Sequence, residues 1–128
     1  MTGYLLDTDI CSYFAKGKPE LVRRMLARDW IISSLTVYEI RKGILAKGPG
    51  AWAQNVEDLL AISRIVDFDS QAASRAAEVS ALLRRTGAPS GVIDELLAGQ
   101  ALSLGLVLVT NNTKHFHGIP GLKLENWA

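Results

Sequence analysis

Residues 4–11, YLLDTDIC, place two carboxylates directly after a short apolar run. The run predicts a buried strand over residues 3–6, and Asp7 and Asp9 follow it before apolar residues resume. Because burial of an unpaired carboxylate is strongly unfavourable, two of them at the end of a core strand indicate a functional site.

A second strand of the same kind lies near the other end of the chain. LVLV at 106–109 is short and apolar on both faces, and Thr110 and Asn112 follow it. In an open parallel sheet, ligands bind outside the carboxyl ends of the strands, which lie along one edge. The sequence therefore predicts that Asp7 and the segment after Val109 meet at that edge.

Further strands and helices alternate between these two segments. Strands are predicted at 30–33, at 64–68 and, as an edge strand, within LKLENW at 122–127. Helices are predicted at 10–15, from Pro19, from a cap at Ser34 or Thr36 to about 46, at 51–63, at 70–86, and from a possible cap at Ser90 to Leu104. This alternation predicts an α/β fold with a parallel sheet.

Composition narrows the class of protein. The chain has 128 residues, of which 48% are hydrophobic, and a net charge of +1, so we expect a single folded domain over 1–128. No apolar run reaches the roughly 20 residues of a membrane span, and the N-terminus does not resemble a signal peptide. These features predict a cytoplasmic protein without a membrane segment.

Cys11, the one cysteine, is either a small buried hydrophobe or a nucleophile paired with His115 or His117.

Two more carboxylates lie in early helical turns, Glu39 in TVYEIRKG and Asp94 in GVIDELLAGQA. A favourable interaction with the helix dipole would account for each one singly. If both converge with Asp7 at the sheet edge, either their pKa values rise or a cation neutralises them. Ligands that are all oxygen favour Mg²⁺ or Mn²⁺ over zinc, and such a metal assists phosphodiester hydrolysis.

Four segments in order, LLDTDIC, SSLTVYEIRKGI, GVIDELLAGQAL and LVLVTNNTKHF, resemble the PIN-domain nucleases. They are similar above all to the VapC-type toxins of bacterial toxin–antitoxin pairs, and the likeness extends to the terminal GLKLENW. The resemblance implies a five-stranded parallel sheet flanked by helices on both faces. It also implies an endoribonuclease that depends on Mg²⁺ or Mn²⁺.

Matched motif by motif, the resemblance implies that Asp7, Glu39 and Asp94 are the catalytic, metal-binding acids. Asn112 stands where many PIN domains have a fourth acid, and its neutral amide disfavours a second tightly held metal. Asp9 stands where the family often has asparagine, and it either caps the following helix or supports the ligands. Thr8 and Thr110 are expected to support the acids rather than the metal, with the Thr8 hydroxyl turned to a carboxylate or to the attacking water. No ligand role is expected for His115.

Basic residues border these motifs. Residues 16–28 carry five basic residues and one acid, which form either a solvated helix face or a rim that attracts phosphate. The candidates for RNA binding are Lys16, Lys18, Arg41, Lys42 and Lys114, with Arg41 or Lys42 expected to point near the crevice or across an interface. Similar toxins cut structured RNA such as transfer RNA or a ribosomal RNA loop.

The resemblance also implies partners. A cognate VapB-type antitoxin would cover the site with its tail and insert a basic side chain among the carboxylates. The toxin would form a homodimer. Trp30, Trp52 and Trp127 are large amphipathic residues that would serve such contacts, or else pack in the core.

Two other functions fit parts of the sequence. Asp7 and Asp9 in DTD also suit a phosphatase with an aspartate nucleophile and Lys114 as its lysine, although Glu39 and Asp94 would then be surplus and the chain is short for a cap domain. Asn112 favours a third possibility, a non-catalytic module that binds RNA or a partner protein.

Overall fold

Short strands and pairs of helices alternate along the chain in the computed structural model, which describes residues 3–88 and 90–128. Two helices separate each of the first three strands from the next, whereas only a short 3-10 helix, Thr113–His115, lies between the last two strands. The elements are β1 (Tyr4–Leu6), α1 (Thr8–Ala15), α2 (Pro19–Leu26), β2 (Trp30–Ser33), α3 (Ser34–Lys47), α4 (Ala51–Ile62), β3 (Ile65–Val66), α5 (Ser70–Arg85), α6 (Val92–Leu104), β4 (Val107–Val109) and β5 (Leu124–Glu125). None of the described helices is long and apolar enough to cross a membrane.

The five strands form one parallel sheet in the order β3-β2-β1-β4-β5. Leu6 of β1 is in register with Ile32 of β2 and with Val109 of β4. β1 and β4 are therefore neighbours at the centre, and their carboxyl ends lie side by side, as the sequence predicts.

Helices cover both faces of this sheet. Successive residues of a strand point to opposite faces, and Leu6 packs into a core formed with α1 to α4, whereas Leu5 packs into a second core formed with α5 and α6. The predicted fold, a five-stranded parallel sheet flanked by helices on both faces, is confirmed.

The first helix begins earlier than predicted because Asp7 caps it. The Asp7 side chain accepts a hydrogen bond from the Thr8 N–H, so α1 begins at Thr8 rather than at residue 10. Asp9 consequently lies inside the first turn, and its predicted role as a cap is wrong.

Two other predicted caps differ from the structure. Ser33, the last residue of β2, caps α3 by accepting from the Leu35 N–H at 3.0 Å, so neither Ser34 nor Thr36 does so. The residue before α6 is Gly91, which makes no side-chain cap, and Ser90 stands outside that helix. Because α3 follows β2 without a connecting loop, the last residue of the strand stands in its cap position.

One close approach between helices fixes the position of α6. A Cβ atom on Gly99 would lie 2.4 Å from the Ala76 Cα of α5, so only glycine permits this contact. α6 carries Asp94 in its first turn, and this packing therefore helps to hold that carboxylate at the sheet edge.

Candidate active site

A cavity of about 440 Å³ opens at the carboxyl ends of β1 and β4. The predicted acids all line it, although they come from the junction of β1 with α1 and from α1, α3 and α6. Its acidic end, called here the carboxylate floor, consists of Asp7, Asp9, Glu39 and Asp94, with Asn112 beside them.

Asp7 is the most buried member of the carboxylate floor, with 6% of its surface exposed. Its Oδ1 accepts from the Thr8 N–H at 2.6 Å, and its Oδ2 accepts from the Thr110 hydroxyl at 2.9 Å. Burial raises the pKa of Asp7 to about 7, the charges of Asp9 and Asp94 add to this, and the two hydrogen bonds oppose it. Thr110 thus contacts the acid, as predicted.

Asp9 faces the same cavity with one oxygen unpaired. Its Oδ2 accepts from the Asn111 backbone N–H at 3.1 Å, whereas its Oδ1 is buried without a hydrogen-bond partner. Burial raises the pKa of this carboxyl. A buried oxygen without a donor is an available ligand for a cation.

Glu39 and Asp94 enter the cavity from two helices. Glu39 accepts from the Thr8 hydroxyl at 2.5 Å, the contact with a carboxylate that the sequence predicts for Thr8. Asp94 Oδ2 lies 3.6 Å from His115 Nδ1. Burial raises the pKa of Asp94, the negative charge of Glu39 raises it further, and His115 opposes the change. The acids therefore interact with one another across the cavity.

The donor chemistry of the carboxylate floor fits a hard divalent cation. Among the described residues, no three acidic, histidine or cysteine side chains lie close enough together to form a complete ligand set. Mg²⁺, however, keeps several of its waters and binds through one or two carboxylates. Oxygen-only ligands, the unpaired Asp9 Oδ1 and the raised pKa of Asp7 all indicate negative charge that a cation would neutralise.

The predicted RNA-binding residues separate into two groups. Lys16 lines the cavity of the carboxylate floor. Lys114 lines an adjoining cavity of about 590 Å³, which shares Asp94 with the first.

The other three predicted RNA-binding residues do not line the carboxylate cavity. Arg41 forms an exposed ion pair with Glu57 of α4. The Lys42 ammonium lies 5.2 Å from the Tyr38 ring centroid, and the Lys18 ammonium lies 4.3 Å from that of Tyr13. Arg41 and Lys42 are both exposed and neither lines the crevice. The alternative, a contact across an interface, stays a prediction.

Sequence reasoning missed the residues opposite the carboxylate floor. Tyr13, Lys47 and Trp52 line the other end of the same cavity. For Trp52 the sequence predicts only a partner or core contact, and the one signal for a site there is its place just after the KGPG break.

The other two tryptophans differ in burial. Trp127 is 1% exposed and packs 5.0 Å from the Tyr4 ring, so of its two predicted roles it has the one in the core rather than the one in a partner contact. Trp30 is partly buried, and its Nε1–H donates to the Met25 carbonyl at 3.0 Å.

The competing chemistries fit this geometry less well. Cys11 is fully buried and burial raises the pKa of its thiol, so it is a core residue rather than a nucleophile. An aspartate nucleophile at Asp7 would leave Glu39 and Asp94, which line the same cavity, without a role. Lys114, the lysine that a phosphatase would need, does not line the cavity that holds Asp7.

Comparison with known proteins agrees with the resemblance. The model of the PIN domain family matches residues 4–122. A curated protein of Salmonella typhimurium, named tRNA(fMet)-specific endonuclease VapC, is 37% identical over 132 aligned positions that cover 100% of both chains. In solved structures, a chain of Rickettsia felis VapBC2 bound to promoter DNA superposes with a TM-score of 0.91 at 29% identity, covering 99% of this chain and 100% of that one. A chain of DNA-bound VapBC from Salmonella typhimurium gives 0.85 at 38% identity, with 100% of both chains covered. The chain belongs to the PIN domain family and, within it, to the VapC proteins.

Proposed function

We propose that this protein is a metal-dependent endoribonuclease and the toxin of a toxin–antitoxin pair. The observation that carries the proposal is the convergence of Asp7, Glu39 and Asp94 from three separate elements on one cavity. Relatives at this level of identity support it, since they are named endonuclease or ribonuclease.

Asp7, Glu39 and Asp94 would hold one Mg²⁺ or Mn²⁺, partly through water, with Asp9 Oδ1 beside them. Such an ion supplies Lewis-acid stabilisation of charge on a phosphoryl oxygen and lowers the pKa of water. The neutral amide of Asn112 keeps the negative charge of the site low enough for a single metal.

The protein's own residues orient the reaction. Thr110 and the Thr8 N–H fix both oxygens of Asp7, and the Thr8 hydroxyl fixes Glu39. A carboxylate of the floor orients the water that attacks the phosphorus in line. The bond from phosphorus to the 3′ oxygen breaks, which leaves a 3′ hydroxyl and a 5′ phosphate.

We infer that the substrate is structured RNA, with transfer RNA the first to test because the Salmonella relative is named for tRNA(fMet). Lys16 lines the cavity that holds the carboxylate floor, Lys114 lines the adjoining cavity, and both would contact backbone phosphates. The solved VapBC complexes support a VapB-type antitoxin as the partner. We also propose a homodimer, which light scattering after gel filtration measures directly.

The test is cleavage of a total transfer-RNA pool by antitoxin-free protein with Mg²⁺, with Mn²⁺ and with chelator. We expect discrete fragments only with metal, and none from Asp94→Asn. Asp58→Asn is the matched control, since Asp58 is an exposed acid of α4 outside the cavity, and it should cleave like the unmodified protein.

Cleavage that persists in chelator or in Asp94→Asn would refute a metal-dependent mechanism at the carboxylate floor. If no RNA is cut, Mn²⁺ binding measured by calorimetry separates the alternatives. Binding would direct the search to another RNA, whereas its absence would favour the non-catalytic module.

A further inference from the structure

The cavity of the carboxylate floor has a second end with a different chemistry. We propose that this end, formed by Tyr13, Lys16, Lys47 and Trp52 and called here the aromatic subsite, binds a nucleotide that flanks the scissile phosphate. A base of the RNA would stack on an aromatic ring, and the lysines would contact its phosphates. This inference rests on the proposed ribonuclease function and adds where the substrate strand runs.

The Trp52 ring is fixed in place by contacts to two other helices. Its Nε1–H donates to the Ser12 hydroxyl of α1 at 3.3 Å. Its six-membered ring lies so near Gly43 of α3 that a Cβ there would approach it to 3.2 Å. A ring held in this way loses little conformational freedom when a base stacks on it.

Tyr13 is held by Asn111, in the loop that follows β4. Its hydroxyl accepts from the Asn111 side-chain amide at 3.1 Å, and Asn111 in turn accepts from the Asn126 amide at 3.2 Å. The backbone N–H of Asn111 also donates to Asp9. The aromatic subsite and the carboxylate floor are thus joined through one loop.

The lysines of the aromatic subsite lie on these rings. The Lys47 ammonium lies 4.1 Å from the Trp52 ring centroid, and the Lys16 ammonium lies 5.5 Å from that of Tyr13. Over the described part of the chain, neither lysine takes part in an ion pair with an acid. A base can therefore replace an ammonium on a ring while that ammonium moves to a phosphate.

Single-stranded RNA matches both ends of the cavity better than a cationic peptide does. A cationic peptide would be attracted by the carboxylates but repelled by Lys16 and Lys47. Single-stranded RNA has bases that stack on aromatic side chains and phosphates that pair with lysine. Its scissile phosphate would meet the metal, and its neighbour would meet the lysines.

The experiment measures binding separately from cleavage. The probe is a fluorescently labelled random-sequence octaribonucleotide, titrated by anisotropy in Mg²⁺ against Asp94→Asn protein, which we expect not to cut it. Trp52→Leu, Lys16→Gln and Lys47→Gln are each added to that background. Trp52→Phe, which keeps a ring, and Lys123→Gln, at an exposed lysine outside the cavity, are the matched controls.

We expect Trp52→Leu to weaken binding about tenfold without changing its salt dependence, and Trp52→Phe to restore most of the loss. Each lysine variant should weaken binding several-fold and reduce the slope of log Kd against log salt by about 0.7. Lys123→Gln should bind like the background protein.

Unchanged affinity in both lysine variants would overturn the aromatic subsite, as would equal losses in Trp52→Leu and Trp52→Phe. Variants that bind RNA normally in the Asp94→Asn background but, with Asp94 restored, cleave RNA and resist inhibition by a VapB-type antitoxin would assign the surface to the antitoxin and overturn the aromatic subsite too. Cleavage is measured on protein that retains Asp94, and binding is measured on Asp94→Asn protein. Failure of the ribonuclease function and failure of the aromatic subsite are therefore distinguishable.

Discussion

Asp7 combines two properties that oppose each other. Two hydrogen bonds hold its buried side chain in place, which suits a metal ligand that must not move. The same burial, beside Asp9 and Asp94, disfavours its charged form. The residue that the site needs most is therefore one that destabilises the metal-free fold.

Replacement of Asp7 should separate these properties. Asp7→Asn is expected to abolish metal-dependent cleavage and, in chelator at pH 8, to raise the free energy of unfolding by roughly 1–3 kcal/mol, because no charge remains to be buried. The amide can still accept from Thr8 and donate to the Thr110 oxygen. Urea unfolding of both proteins at pH 8 and pH 4 measures this. Equal stability at pH 8 would contradict it.

The pKa of Asp7 also predicts how stability depends on pH without metal. The folded value of about 7 exceeds the ordinary 3.8, so the folded state binds the proton more tightly than the unfolded state. In chelator, the free energy of unfolding should decrease from about pH 4 to about pH 7, by roughly 2–4 kcal/mol, and level off above. Burial of Asp9 and Asp94 acts in the same direction. A flat profile from pH 5 to 8, or one unchanged in Asp7→Asn, would be inconsistent with this.

At the scale of elements, contacts between helices position the acids. α6 approaches α5 so closely at Gly99 that Ala76 backbone atoms occupy the space of a side chain. Asp94 lies about one and a half turns earlier in the same helix. Any change that separates the two helices therefore also displaces a carboxylate.

Gly99→Ala tests this contact. Alanine usually stabilises a helix by about 1 kcal/mol relative to glycine, but here we expect a loss of roughly 2–3 kcal/mol, because the backbones must move apart. Ala77→Val, at the exposed neighbour of Ala76, is the control and should cost less than about 1 kcal/mol. Thermal unfolding compares them, and a Gly99→Ala protein as stable as the control would disprove the contact.

Strands and helix faces could be predicted from the sequence because their periodicity is local. The sequence predicts a strand over residues 64–68. The structure has a shorter strand there, Ile65–Val66, which is an edge strand with one partner. Contacts between distant residues could not be predicted. No local pattern shows that Thr110 donates to Asp7, that Arg41 turns to Glu57, or that Tyr13 and Trp52 face one cavity.

At the scale of the whole molecule, the site exists only where four elements meet. The carboxylates come from positions as far apart as Asp7 and Asp94, and the strand order places β1 between β2 and β4. A cation at the carboxylate floor would link the segment around Asp7 to the segment around Asp94. Its binding would therefore add to the free energy of unfolding.

Mg²⁺ or Mn²⁺ should accordingly stabilise the protein. At a concentration 100 times its Kd, the metal is expected to add about 2.7 kcal/mol to the free energy of unfolding at neutral pH. Calorimetric melting with and without chelator measures this, and Asp94→Asn should show a much smaller gain. A gain as large in Asp94→Asn would place the metal elsewhere.

The place of β1 in the sheet has a consequence for biosynthesis. β1 is the first strand made, but it must wait for β4, about a hundred residues later, before its second edge is paired and Thr110 reaches Asp7. Until then a growing chain carries its first acid without the elements that complete the centre. We therefore expect a chain that ends before β4 to be inactive as a nuclease, since it lacks both the second partner of β1 and the Thr110 contact to Asp7.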